Sequence, residues 1–273
     1  MPRRLHHYTN AAGLLGIIQS RTIWATDCRF LNDSTEYVYA QQALAQALSH
    51  LPNPALDPTH HLHRIAAEVG DEIAKLGKIV NDGVDNDFRV AVTCFCDDGD
   101  LLSQWRGYAP NHGYSIEFDH ETLDAAAQAV DCIELGELRR IEYGPGAIAQ
   151  LATFAADGVS SDNLNHPGVH GYHHALQLAA NAASVKHEGF AEEREWRLVL
   201  VQYAHNDATQ ILFRPTPIAV VPYMRVPIDP AAICSIRVGP GDKTGIRAEG
   251  ISRLLAAHGS AATVTASTVP LRT

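Results

Sequence analysis

The chain has 273 residues, 46% of them hydrophobic, with 31 acidic side chains against 21 basic ones and a formal net charge of −10. That length buries a large core without disulfide or metal staples, and the charge excludes a general attraction to nucleic acid or acidic membranes, leaving room only for a local basic groove. The five cysteines (Cys28, Cys94, Cys96, Cys132 and Cys234) are odd in number and lie mostly in apolar runs, so they read as buried thiols of a reducing compartment rather than a disulfide framework. No stretch approaches the ~18 apolar residues of a membrane span, and MPRRLHHYT lacks the apolar core of a signal peptide. Cytoplasmic residence is the expectation.

In chain order, LHHYT predicts a short strand. Asn10 then caps a helix whose Leu14, Leu15, Ile17 and Ile18 share one broad face. TIWAT is a second extended piece. Asp33 or Ser34 begins a helix toward Ala47, with Glu36 as the capping-box acid. A helix over 60–79 and the loop NDGVDND lead to FRVAVTCFC, a strand long enough to be central. In HGYSIEF, Tyr114, Ile116 and Phe118 alternate with Ser115 and Glu117, which predicts a strand with one dry face. Helices near 120–130, 145–156 and 171–186 are separated by the strand-like LRRIEY and a polar loop at 159–169. WRLVLVQ, TQILF, IAVVPY and CSIRVG read as four further strands, followed by a helix near 243–257 and a last strand, ATVTAS. Strands crowd the end of the chain without regular βαβ spacing, so the expected class is α+β, one domain over 1–273 with a helical insertion at 120–186. No GxGxxG or GxxxxGK[ST] fingerprint is present, and VGPGDKTG reads as a turn.

Chemistry concentrates in KHEGFAEEREWR, residues 186–197, which packs four carboxylates, two aromatics and three basic groups before an apolar run. In a strand beginning near Glu195, alternation puts Glu195 and Arg197 on one face and Trp196 on the other, and Glu193 joins them if the strand starts early. The same pattern also fits a solvated loop of mutually paired charges. At the other end of the chain, His7 and Thr9 share a face of the first strand, a compact hydrogen-bonding pair for a ribose or an amide, or an ordinary edge pair. In LLSQWRGYAPNHGYSIEF, Trp105 and Tyr108 are three apart and form one aromatic patch, which either stacks a flat ring or lids the sheet. None of the 15 histidines falls in an HExxH pattern, and Cys94 and Cys96 lack a second pair, so no metal site is expected. CDDGD offers Asp97, Asp98 and Asp100 to a hard cation, the basis of a competing magnesium-dependent hydrolase reading.

The blocks HHYTNAAGLLGIIQSRTIWATDCRFLNDSTEY, TCFCDDGDLLSQWRGYAPNHGYSIEF and KHEGFAEEREWRLV, with the end VGP…STVPLR, resemble a bacterial family of uncharacterised function, DUF2971. The layout of an early H-x-T before a helix and a late E-x-E at a strand is similar to the ADP-ribosyltransferase superfamily, DarT-like members included. That resemblance implies a split antiparallel or mixed β-sheet core with surrounding helices, and NAD as co-substrate. It implies that His7 holds the NAD ribose, that Thr9 belongs to the same motif, and that Tyr108 or Tyr114 is the middle aromatic that stacks on nicotinamide. Glu195 would be the catalytic glutamate and Glu193 its helper toward the acceptor, with Arg197 holding Glu195 in its rotamer. Arg29 and Asn32 fall where polar residues of the NAD-binding loop lie. The acceptor implied is an unidentified nucleic acid or protein, as for a toxin or phage-defence protein. The R-then-S-T-S pattern of arginine-modifying toxins is missing, which speaks against protein arginine as the acceptor. The competing classes are a non-enzymatic nucleotide-binding or interaction module and an NAD or nucleotide hydrolase.

Overall fold

FRVAVTCFC carries β-branched and aromatic residues on both faces, and it becomes the strand from which the rest of the molecule is organised. The computed structural model describes residues 3–31, 88–110, 112–157, 176–203, 211–216 and 219–270. The helices expected toward Ala47 and over 60–79, with Asn32, Asp33 and Glu36, lie outside the described residues. Among the described residues the strands are β1 (Arg4–Thr9), β2 (Thr22–Asp27), β3 (Phe88–Cys96), β4 (Tyr114–Asp119), β5 (Leu135–Arg140), β6 (Glu142–Tyr143), β7 (Val185–Lys186), β8 (Glu195–Tyr203), β9 (Leu212–Pro215), β10 (Val220–Pro227), β11 (Ile233–Val238) and β12 (Thr263–Ala266). The helices are α1 (Ala11–Ser20), α2 (Leu102–Gly107), α3 (His120–Gln128), α4 (Gly144–Asp157), α5 (176–182) and α6 (Thr244–Ala257). The class is α+β. The stretch 120–186 supplies strands as well as helices, and β5 runs antiparallel to β8 from Leu135↔Val201 to Arg140↔Trp196.

Ten strands form one sheet along the order β12-β11-β4-β1-β3-β2-β10-β9, with β8 on the other edge of β3 and β5 beyond it. Pairing is antiparallel except between β11 and β12. β3 is paired along its whole length with β8, from Phe88↔Tyr203 to Cys96↔Glu195. Its opposite edge is divided: β1 takes only Cys96, through His6, while β2 takes only Ala91 and Val92. The sheet therefore splits between β1 and β2, over residues 93–95 of β3.

Both faces of the sheet are covered. Leu14, Ile17 and Ile18 of α1, Leu123 of α3, and Ile251 and Leu255 of α6 pack on one face against Leu5, Phe95, Trp196, Leu198 and Leu200. Asn10 caps α1, its Oδ1 accepting from Gly13 N at 2.9 Å, and the buried stripe is narrower than expected because Leu15 stays 41% exposed. On the other face Leu176, Ala179 and Ala180 of α5 pack against Val90, Val92, Val199 and Val201. This double cover is why β8 is buried on both sides instead of alternating. It also corrects the expected wet face of β4. Ser115 is fully buried, because it sits opposite Tyr8 on a face closed by a small core of Tyr8, Cys96, Trp105 and Ala109.

Asp100 fastens this small core to the end of the chain. It accepts from Trp105 Nε1 at 2.9 Å, from Thr268 N at 2.8 Å, from Thr268 Oγ1 at 2.9 Å and from the Ser267 hydroxyl. Burial pushes its pKa up, but these donors outweigh burial and hold it below the usual carboxylate range. Asp98 pairs with Arg194 at 2.9 Å and Asp97 lies 3.7 Å from Arg3, so the three acids serve the loop, and no metal-holding cluster occurs among the described residues. Asp100→Ala is expected to destabilise the protein by about 2 kcal/mol in urea unfolding, the scale of several charge-assisted bonds lost together. A depressed carboxyl pKa stabilises above the unfolded value, near pH 4, and that contribution fades as pH falls through the folded pKa. The gap between wild type and D100A should therefore close below about pH 4.

Candidate active site

A cavity of about 240 Å³ lies at the split, and its lining comes from both faces of β3: Val92 and Cys94 from one, Thr93 from the other. The divided edge leaves β3 backbone groups without strand partners. The Cys94 carbonyl is met instead by His7 Nδ1 at 2.9 Å, while Thr93 Oγ1 donates to the Trp24 carbonyl at 3.0 Å. A carbonyl only accepts, so His7 Nδ1 carries the proton and Nε2 keeps a lone pair. Burial lowers the His7 pKa, with the Cys94 contact opposing it, which favours this neutral ring. Thr9 lines the cavity beside Gly13 of α1, where a Cβ would stand 2.1 Å from Thr9 Oγ1. The glycine is the space in which that hydroxyl sits.

Across β3, β8 begins at Glu195, opposite Cys96, the residue that also pairs His6. β1 and β8 thus flank one end of β3, about 10 Å apart by strand spacing. Alternation sends Trp196 into the core and turns Glu195 and Arg197, 5% and 4% exposed, toward the cavity. Arg197 grips Glu195 with Nε to Oε1 at 2.6 Å and Nη2 to Oε2 at 3.1 Å, and its Nη1 donates to the Ala183 carbonyl at 2.9 Å. The Glu195 backbone N–H donates to Tyr143 Oη at 2.8 Å, which fixes the start of the strand. Arg194, at φ 44°, stands in the left-handed region and ends the 3₁₀ turn Glu188–Glu193. Glu193 is therefore not in the strand.

The two acids meet through Lys186 instead. Its ammonium lies 2.5 Å from Glu193 Oε2, 3.1 Å from Glu195 Oε2 and 4.6 Å from the Phe190 ring centroid, at 1% exposure. Lys186 opens the charged block, and no local pattern places it here, because β7 and the turn after it bring it back over β8. Burial pushes the Glu195 pKa up, yet Arg197 and Lys186 outweigh it and hold the carboxyl at about 2. Glu193 goes the other way: burial raises it, and Lys186 offsets only part of the rise. The two carboxyls thus have opposed environments. Tyr108, 40% exposed, donates to Glu193 Oε1 at 3.2 Å and lines both the cavity and a smaller hollow shared with Glu193 and Glu195.

His7, Thr9, Tyr108, Glu195 and Arg197 therefore line one cavity, with Glu193 at its edge. Other aromatic candidates do not. Trp105 is 2% exposed, bonded to Asp100 and edge-on to Tyr8 at 4.8 Å, so it is core. Tyr114, 7% exposed, packs under the Arg247 guanidinium at 5.3 Å. Arg29 is bidentate on Asp27, at 3.0 and 2.6 Å, and stays out of the lining, whereas its neighbour Phe30 enters it. Asn32 lies outside the described residues. Sequence reasoning missed Lys186, Trp24, Phe30 and Arg214, all on the lining.

Lys186→Met leaves the buried Glu195 and the half-buried Glu193 without their shared cation, so we expect a loss of about 3 kcal/mol in unfolding free energy and a further rise in the Glu193 pKa, read by NMR titration. Because the Glu195 pKa falls on folding, its share of stability is full above about pH 4.3 and drains toward pH 2; Glu195→Gln should flatten that acid limb.

Residues 104–198 match the model of a family described as a protein of unknown function, DUF2971. No curated protein and no solved structure matches the chain. The matched segment contains Tyr108, Lys186, both acids and Arg197, whereas β1 with His7 and Thr9 precedes it.

Proposed function

We propose that the chain is an NAD-dependent ADP-ribosyltransferase that moves ADP-ribose to a macromolecular acceptor and releases nicotinamide. The observation that carries this reading is the convergence of His7 and Thr9, from the first strand, with Tyr108 and Glu195 on one cavity at the sheet split. The neutral His7 ring offers Nε2 to a ribose hydroxyl, and Thr9 Oγ1 both donates and accepts beside it. Tyr108, with Trp24 and Phe30, supplies flat surfaces for the nicotinamide ring.

Cleavage of the bond between C1′ and the nicotinamide nitrogen sends the electron pair to the pyridine ring and leaves positive charge on the ribose. An ionised Glu195 stabilises that charge more in the transition state than in the ground state. A carboxylate offers about four acceptor positions. Arg197 Nε, Arg197 Nη2 and Lys186 Nζ occupy three, and the Cys94 thiol, a weak donor, also bonds the group. A ribose 2′-hydroxyl displaces the thiol at small cost. The acceptor's nucleophile then bonds to C1′, and its proton passes to Glu193, whose raised pKa suits a base.

One observation favours a second reading, a nucleotide-binding module without turnover: Glu195 is held between two cations that offset much of its field. The deciding experiment incubates the protein with labelled NAD and, separately, protein, DNA and RNA pools, and follows nicotinamide release and the label. Glu195→Gln is expected to cut release by ~10²–10³ with little change in NAD affinity, since the lost contact acts in the transition state. Glu193→Gln should impair transfer more than bare NAD hydrolysis. NAD binding with no release from any pool would leave the binding module ahead; release untouched by E195Q would keep an enzyme and discard this mechanism.

A further inference from the structure

Five ionised groups stand on the cavity and its edge, the cations Lys186, Arg197 and Arg214 against the carboxylates Glu193 and Glu195, an excess of one positive charge inside a chain of net charge −10. Lys186 is shared by Glu193 and Glu195, and Arg197 is committed to Glu195. Arg214, on edge strand β9, has no carboxylate partner among the described residues. Its Nη2 donates to Thr26 Oγ1 at 2.9 Å, its guanidinium stands 5.5 Å from the Trp24 ring centroid, and its Nε is buried without a hydrogen-bond partner. An arginine does not escape burial by losing its proton, so a half-buried guanidinium with an idle N–H is stabilised by an incoming anion.

We infer that Arg214 is the anion subsite of this cavity and takes a phosphoryl group of a nucleotide. With Lys186 and Arg197 neutralised by the two acids, the positive charge left over is that of Arg214, which suits an anionic group at that end of the cavity. The guanidinium, with its idle Nε and the N–H groups beyond the one given to Thr26, presents a planar fork that matches two phosphoryl oxygens, and Trp24 stands against its plane. The sheet register sets the subsite apart from the acids. Thr26 pairs Val92, which pairs Val199, four residues along β8 from Glu195. Two strand spacings and four residues of rise put Thr26 and Glu195 about 16 Å apart at Cα, so one extended nucleotide meets both ends. Burial lowers the Arg214 pKa and only Tyr223 opposes it, in keeping with a cation that lacks a neighbouring anion. The nucleotide rests on the transferase reading; the anion subsite does not.

The test is calorimetric titration of the whole chain with ADP, adenosine and inorganic pyrophosphate, in wild type, Arg214→Met and Arg214→Lys. ADP is expected to bind at least tenfold tighter than adenosine, and pyrophosphate to bind by itself. R214M should abolish the preference for ADP while leaving adenosine affinity unchanged, and R214K, which keeps the charge without the fork, should keep part of it. R214M should also melt at or above the wild-type temperature, because it removes an uncompensated charge; an arginine with a structural role would lower it. Equal affinity for ADP and adenosine in the wild type overturns the proposal, as does an R214M or R214K protein with the full ADP preference. Arg214-dependent ADP binding without nicotinamide release from any acceptor pool keeps the subsite and removes the transferase. Release lost in E195Q, beside wild-type ADP binding in R214M, does the reverse.

Discussion

β3 has one edge for β8 and one edge for two strands, and that division shapes the molecule. A strand interior to a sheet must find partners for its backbone groups on both sides. Here β1 reaches it only at Cys96 and β2 only at Ala91 and Val92, so the ladder lapses between them. The lapse is filled by side chains, His7 on the Cys94 carbonyl and Thr93 on the Trp24 carbonyl. A sheet that splits in this way cannot close its core over the gap, and the cavity is the result. Because it opens at the split, residues from opposite faces of β3 line it together, which alternation along one strand forbids elsewhere.

Charge is distributed around the gap by the same geometry. A buried carboxylate is costly unless it is paired and hydrogen-bonded, and Glu195 is met by a bidentate arginine and a lysine. Glu193, a turn away, shares the lysine but not the arginine, so the two neighbouring acids are shifted in opposite directions. The arrangement holds the acids in place and limits the field that Glu195 exerts on a substrate. Arg214 differs in kind. Its partners are a hydroxyl and an aromatic face, so the positive charge at that end of the cavity is left for something outside the described chain.

Much of the scaffold was legible because its strands carry strong local signals. β3 begins and ends where its run of β-branched and aromatic residues does, and Asn10 caps α1 as its side chain requires. The pairing of Glu195 with Arg197 follows from period-two alternation. What misled was exposure. Trp105 and Tyr108, three apart, read as one patch, but α2 ends at Gly107, so Trp105 turns inward to Asp100 while Tyr108 lies on the cavity. Ser115 read as a wet position only because the second small core, built from Tyr8, Trp105 and Ala109, has no local signature.

By itself the sequence determined where the longer strands run, which face of β8 carries Glu195 and Arg197, and that His7 and Thr9 share a face, since these depend on dihedral preference and side-chain period over a few residues. Only the tertiary structure decided that β1 and β8 flank the same end of β3, that Lys186 returns over both acids, and that Arg214 crosses from an edge strand to Thr26 and Trp24. Those contacts join residues far apart in the chain. They are selected by the order in which strands pair and by the cost of leaving buried backbone and charge unpaired, quantities that no local window of sequence contains.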